Sequence, residues 1–408
     1  MFKKILQLLL GPALGHILTV ALTPLFMHFY TPVAFGEYAF FIALLGILVN
    51  VSVLRFDAIL LFCEDNELNS VIMSGNFSTI LFTSLISIIL ILIKYDFFLC
   101  FFFSLLALST QLIITSIFLR DNKHYISSFF NFIFVSMVPI SQLVFTFLHF
   151  PNGLIFGHSF AAVLYLIVTI PVIVYKRRCL QTGIGVKTIL KKYKSYYTSN
   201  ALSVFINASS NQFLPIILKI MFGTEVLGLV NVLQRILITP IGFVLRIIIQ
   251  AYNKELAFFL REGQVGNANN LFKRTILFGF IGALLINSIL LAVYLIHQYN
   301  LVDAENLISS KWSDITKFIP YFIMLLSFQI VSIPVSQSLT FLGFHFSQLA
   351  IEIARISAFL IIAVYSYYSH MIDLEFIKLY VFTQSLIYLV TLIIINSVFK
   401  IKITKRKI

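Results

Sequence analysis

Runs of about twenty apolar residues follow one another along nearly the whole chain, the helix length that crosses a hydrocarbon layer about 30 Å thick. Inside such a layer no water is present to satisfy backbone groups, so only helices and closed barrels span it. Barrel strands alternate apolar and polar residues over segments of about ten residues, and these runs do not alternate. The expected class is an all-α polytopic membrane protein. Of the 408 residues, 60% are hydrophobic, 11% are charged and 44 are Phe, with a mean hydropathy of +0.98. That is more apolar surface than a soluble core of this length needs.

Twelve spans are expected, at about 5–29, 35–60, 70–93, 97–119, 126–148, 153–175, 197–221, 227–249, 275–297, 318–341, 349–368 and 377–398. The longest connections, 176–196, 250–274 and 298–317, are too short to hold a soluble domain. Lys3 and Lys4 before an apolar run resemble a signal peptide, but with so many spans following, an uncleaved first helix is expected. With the N-terminus inside, 20 of the 29 Lys and Arg fall on the inner side and 4 on the outer side, leaving 5 within spans. By the positive-inside rule both termini are expected in the cytoplasm. The net charge of +13 is thus topological and calls for no nucleic acid. Cys63, Cys100 and Cys179 are scattered and support neither a disulfide framework nor a metal site.

The basic segment 176–196 divides the chain into an N-terminal lobe, 1–175, and a C-terminal lobe, 197–408. An offset of 191 residues pairs Pro24 with Pro215, His16 with Asn207, His28 with Lys219 and Arg55 with Arg246, and Gly36 matches Gly228 within one residue. Equal span counts on either side of the linker make this a 6+6 parallel repeat. That architecture places a transporter's substrate in a central cavity between two six-helix lobes.

The five intramembrane cations are Arg55, Lys219, Arg235, Arg246 and Arg355. Each uncompensated cation at a bilayer centre costs about 2.5–3.5 kcal/mol on insertion scales, so it must face a wet cavity, a counter-charge or the headgroups. Asn231, Arg235, Thr239, Gly242, Arg246 and Gln250 fall within about 100° of one regular helix. Arg235 is the deepest and has no acid in its own span. Arg246 and Lys219 sit near span ends, where snorkelling competes with ligand contact. Arg55 and Asp57, two residues apart, would point to nearly opposite faces of a continuous helix and so each need another partner. Glu352 and Arg355, three apart, share a face and fit a local ion pair.

Span 7 carries Asn200, Ser203, Asn207 and Asn211 on one face, which reads either as glue between helices or as a polar lining. Span 1 has a smaller set in His16, Thr19 and Thr23, and its Gly11 and Gly15 form a small-xxx-small pair. His16, Asp57 and Glu352 are the candidates for ion coupling. No GxSxG, HExxH or P-loop pattern occurs, and Gly157-His158-Ser159 is not a nucleophile elbow. No enzyme activity, cofactor or metal is expected.

Gly36-Glu37-Tyr38 after span 1, Arg55-Phe-Asp57-Ala-Ile59 closing span 2, and Asn231–Ile249 followed by Gln250-Ala-Tyr-Asn complete a pattern that resembles the polysaccharide biosynthesis transporters. These are the O-antigen flippases (Wzx-type) of the multidrug/oligosaccharidyl-lipid/polysaccharide exporter superfamily. Members usually show Tyr-Glu where this chain has Arg55-Phe-Asp57. The resemblance implies two lobes around a cationic cavity in a bacterial inner membrane. It also implies an undecaprenyl-pyrophosphate-linked glycan as substrate, with membrane lipids, a polysaccharide polymerase and a chain-length regulator as partners. On that reading Arg235, Arg246 and Arg55 hold the pyrophosphate, with Lys219 and Arg355 completing the cationic set, while His16, Asn200, Asn207, Asn211 and Asn231 line the sugar path. The alternatives are an O-antigen polymerase or ligase, which generally carries a large outer loop, and a drug/cation antiporter, which prefers deep acidic residues.

Overall fold

The computed structural model describes residues 2–178, 185–194, 197–198, 201–298 and 310–404, without side chains for 2–10, 203, 207, 210, 211, 289–298, 310, 345 and 403–404. All regular structure among them is helical. In chain order the helices are α1 (Phe2–Phe29), α2 (Pro32–Ser52), α3 (Phe56–Ile59), α4 (Leu68–Leu92), α5 (Phe98–Arg120), α6 (His124–Phe147), α7 (Gly153–Arg178) and α8 (Val186–Lys192). Then follow α9 (Ala201–Leu233), α10 (Thr239–Arg261), α11 (Val265–Gln298), α12 (Ile319–Ser332), α13 (Ser338–Phe341), α14 (His345–Tyr368) and α15 (Asp373–Thr404).

Among the described residues, eleven helical stretches are long and apolar enough to cross a membrane. One of them, Gln212–Arg261, holds 50 residues, which as a straight helix would reach about 75 Å, more than twice a bilayer core. It is broken at Gly223, whose φ of 86° and ψ of 176° are closed to side-chain-bearing residues. Counting a span on each side of that break gives the expected twelve. Several helices outrun the bilayer: α11 has 34 residues, and α10 continues past Gln250 to Arg261. Hydropathy marks where the hydrocarbon ends, whereas the helix continues through charged sequence until a capping residue stops it.

The second span ends earlier than its hydropathy implies. α2 stops at Ser52, Leu54 and Arg55 take positive φ (49° and 63°), and only the single turn of α3 follows. Phe56, Ile59 and Leu60 are fully buried beneath this break and anchor it in the core of the first bundle with Val71, Ile72, Ile113 and Tyr165.

By packing the chain divides into two units, 1–228 and 229–408. The linker helix α8 and the seventh span, up to Gly228, therefore pack with the first six spans. In the first unit α1 lies against α6 at Gly11 and Gly15. A methyl there would sit 2.4 Å from the Ser128 carbonyl oxygen and 2.6 Å from Val135, the close approach that small residues permit in membranes. Polar side chains bridge helices elsewhere: Gln111 donates to Asn131 at 2.8 Å, Gln142 to the Leu154 carbonyl at 2.9 Å, and Ser52 meets Ser109 at 2.5 Å. Such bridges average about 0.6 kcal/mol in bilayers. Gln111→Leu is accordingly expected to lower the melting temperature only slightly, which differential scanning fluorimetry measures. In the second unit Leu245, Ala283, Leu326 and Ile330 form a core between α10, α11 and α12.

Candidate functional site

Three of the intramembrane cations meet carboxylates. Arg55 reaches Asp57 at 3.5 Å, against the expectation that the two lie on opposite faces. The reason is the left-handed turn at Leu54 and Arg55: with α2 already ended, the 100° per residue of a continuous helix does not apply. Arg355 pairs with Glu352, as their spacing predicts, and Gln348 donates to the same carboxylate at 3.4 Å.

Lys219 sits over the Phe40 ring, 4.0 Å from its centroid, and binds Glu37 at 2.8 Å. This pair lies beside a backbone crossing. A methyl at Gly36 would fall 1.8 Å from the Thr224 carbonyl oxygen, and one at Gly228 would fall 1.8 Å from the Pro32 carbonyl oxygen. Pro32 and Thr224, like Gly36 and Gly228, are 192 residues apart. The contact is thus reciprocal between repeat-equivalent positions, the pattern a local two-fold produces. Lower down the same seam, Gly46 meets Gln212.

Arg235 is buried, 8% exposed, on a π-helical turn, Gln234–Ile238. Pro240 has no N–H to continue the α ladder. Just before it, the Thr239 N–H bonds the Gln234 carbonyl five residues back, and the Thr239 hydroxyl reaches the same oxygen at 3.2 Å. The wide turn adds a residue to the helix and corrects the single-stripe reading: Asn231 and Arg235 precede the turn, Arg246 and Gln250 follow it in a shifted register. Arg235 is enclosed, Asn231 is half-buried with no partner on its amide oxygen among the described residues, and Arg246 and Gln250 are exposed. At Gly242 an added methyl would meet nothing within 4 Å, so the face beyond the π-turn is open.

His16 is half-buried on α1, and its neighbours Thr19 and Thr23 return their hydroxyls to the helix carbonyls of Gly15 and Thr19. Asn200, and the side chains of Ser203, Asn207 and Asn211, lie outside the described residues, so the span 7 polar face remains an expectation. His158 lies inside α7 with Nδ1 3.3 Å from the Tyr38 hydroxyl, among the rings of Phe41 and Phe134. It is a core histidine in a helix.

Sequence reading missed the acids between the second and third spans. Glu67 is fully buried, accepting from Lys192 Nζ at 2.6 Å, the Tyr193 hydroxyl at 2.7 Å and the Glu64 N–H at 3.2 Å. Asp65 takes Arg120 at 2.6 Å, and Asp121 takes Lys176 at 2.5 Å. Burial opposes the Glu67 charge, yet the hydrogen bonds from Lys192 and Tyr193 hold its carboxyl below the ordinary range; burial and that carboxylate push the Tyr193 hydroxyl up to about 12. The signal available was an acidic 64–67 segment opposite a basic 187–194 segment.

No family model and no curated protein matches the chain. Solved structures do. A multidrug resistance MATE family transporter of the MOP superfamily in its inward-facing conformation superposes with a TM-score of 0.64 at 13% identity, over 98% of this chain and 96% of that one. An outward-facing structure of such a transporter gives 0.60 at 14%, over the same shares. A MOP superfamily transporter from Pyrococcus furiosus, described as having a binding pocket of reverse polarity that suggests a different function, gives 0.58 at 13%, also over 98% and 96%. At such identities the likeness is one of fold. This chain has the polytopic helical fold of those transporters.

Proposed function

We propose that this protein is a transporter that moves an undecaprenyl-pyrophosphate-linked oligosaccharide across a bacterial inner membrane by alternating access. The observation that carries the reading is Arg235, a cation enclosed in the middle of a span on a helix turn that departs from regular α geometry. A pyrophosphate is a compact polyanion, and the guanidinium fork matches two of its oxygens at once. Arg246 follows on the open face of the same span. The fold supports transport, being that of proteins captured facing inward and facing outward. The reversed pocket polarity described for the Pyrococcus furiosus transporter, and the different function it suggests there, are in keeping with a pocket of other than drug-binding character on this fold.

Drug export is the second reading, favoured by the multidrug resistance proteins among the structural neighbours. Cationic drugs call for a carboxylate within the spans. The nearest candidates in the first unit, Glu37 and Asp57, are already engaged by Lys219 and Arg55. Arg235→Ala is expected to abolish surface polysaccharide while the protein still reaches the membrane at normal level, and Arg235→Lys is expected to restore part of it. Normal polysaccharide in the alanine variant would sink the site assignment. Deletion of the gene should leave lipid-linked single repeat units facing the cytoplasm; units on the outer face would instead indicate a lost polymerase.

A further inference from the structure

Between α4, α5 and α7 runs a crevice of about 240 Å³ within the first unit, lined among others by Ile80, Leu106, Leu166, Ile173 and Arg177. Its rim is apolar and open: Ile80, Ile170 and Val174 are 55%, 47% and 39% exposed. On a chain with spans this apolar, such a rim faces lipid. The floor is mostly apolar, with Asn76 and the buried Thr79 from α4 as polar members beside Thr110. Thr110 turns its hydroxyl back to the Leu106 carbonyl at 2.7 Å, and Leu166 and Ile173 are buried behind it. Leu166, Ile170, Ile173 and Arg177 fall at helical spacing on one face of α7. From Leu166 to Arg177 that face measures about 16 Å, close to half the thickness of a bilayer core.

One end carries charge. Arg177 donates through Nε to the Asn69 amide oxygen at 3.2 Å, a neutral acceptor. The neighbouring Lys176 is taken up by Asp121, whereas Arg177 has no carboxylate within ion-pair distance among the described residues. The guanidinium is therefore held at the mouth of the groove, at the level where α4 begins, with no carboxylate on it among the described residues.

We infer that this crevice is a binding site for one acyl chain of an anionic phospholipid from the leaflet on the Arg177 side, with Arg177 on its phosphate. Charge complementarity selects the headgroup, and the length of the apolar wall selects the chain. The site is separate from Arg235, so its occupancy is independent of the transport reading.

Native mass spectrometry of the purified full chain with phosphatidylglycerol and phosphatidylcholine of matched chains tests it. One phosphatidylglycerol is expected to remain bound in preference to phosphatidylcholine. Arg177→Gln should reduce that preference about five-fold, the worth of one basic residue at a membrane surface, while Arg177→Lys should keep most of it. Ile170→Trp, which fills the groove from its exposed rim without disturbing the core, should lose both lipids at unchanged melting temperature. Equal retention of the two lipids by the unaltered protein, or full retention by the folded Ile170→Trp variant, overturns the proposal. So does retention of a polyprenyl phosphate in place of the phospholipid.

Discussion

Gly36→Ala and Gly228→Ala are each expected to cost more stability than any other single methyl added to the described membrane helices. Each methyl would arrive 1.8 Å from a backbone carbonyl oxygen, where ordinary contact needs about 3.2 Å or more. No side chain is in the way to rotate aside, so the two backbones must separate by over an ångström. Overpacking of this kind costs about 1–3 kcal/mol or more, and separation also strains the adjoining Lys219–Glu37 pair. Thermal unfolding followed by fluorescence-detected size exclusion should show a large fall in midpoint for both variants. Because a single separation makes room for both methyls, the double variant should cost clearly less than the sum of the two. Gly266→Ala, where a methyl would meet nothing within 4 Å, is the control and should be neutral or slightly stabilising. Unchanged midpoints for Gly36→Ala and Gly228→Ala would show that the crossing is looser than described.

The second large effect is expected at Glu67. Lys192→Gln removes the cation from a fully buried carboxylate, and an unpaired buried charge is far more costly than the pair is favourable. The linker helix α8, held by Ile189, Tyr193 and this pair, should then come away from the bundle. Hydrogen exchange over residues 185–194 should quicken, and protease should cut the linker sooner. Glu67→Gln removes the stranded charge together with the pair and should be milder than Lys192→Gln. The pH dependence has a definite sign. The Glu67 carboxyl is held below its ordinary value of 4.5, so its contribution is complete above that pH and is lost as pH falls through the lowered folded value. Docking of α8 should therefore weaken in acid in the unaltered protein, and the Glu67→Gln variant should lack that acid limb.

Hydropathy located most of the helical spans to within a few residues because burial in hydrocarbon and helix formation select the same residues. It failed where the chain bends without becoming polar. Arg55 and Asp57 sit in otherwise apolar sequence that reads as the end of a span, yet a left-handed turn separates them from α2 and turns an i,i+2 pair into an ion pair. Arg235 was legible as a deep cation, but not its π-turn, since the missing N–H of Pro240 does not say how the preceding carbonyls will be satisfied. Gly36 and Gly228 were visible as repeat partners; their mutual contact required three dimensions. Glu352–Arg355 was fully legible because its geometry is local to one helix. The Glu67 cluster escaped because Lys192 and Tyr193 lie over 120 residues from Glu67, and long-range pairing leaves no mark in a single sequence beyond opposite charge.

The break at Gly223 has a practical consequence for anyone mapping which parts of the chain lie on which side of the membrane. Neighbouring spans are usually told apart through the loop that joins them, by inserting an epitope, a reporter or a cleavage site. Here the seventh and eighth spans are joined through one non-helical residue, leaving no loop to tag. The space around Gly223 is free, and its backbone angles alone exclude a side chain. Even a small cysteine label at this position would strain the turn it was meant to report on. Sidedness there is better read from Glu225, exposed two residues further on.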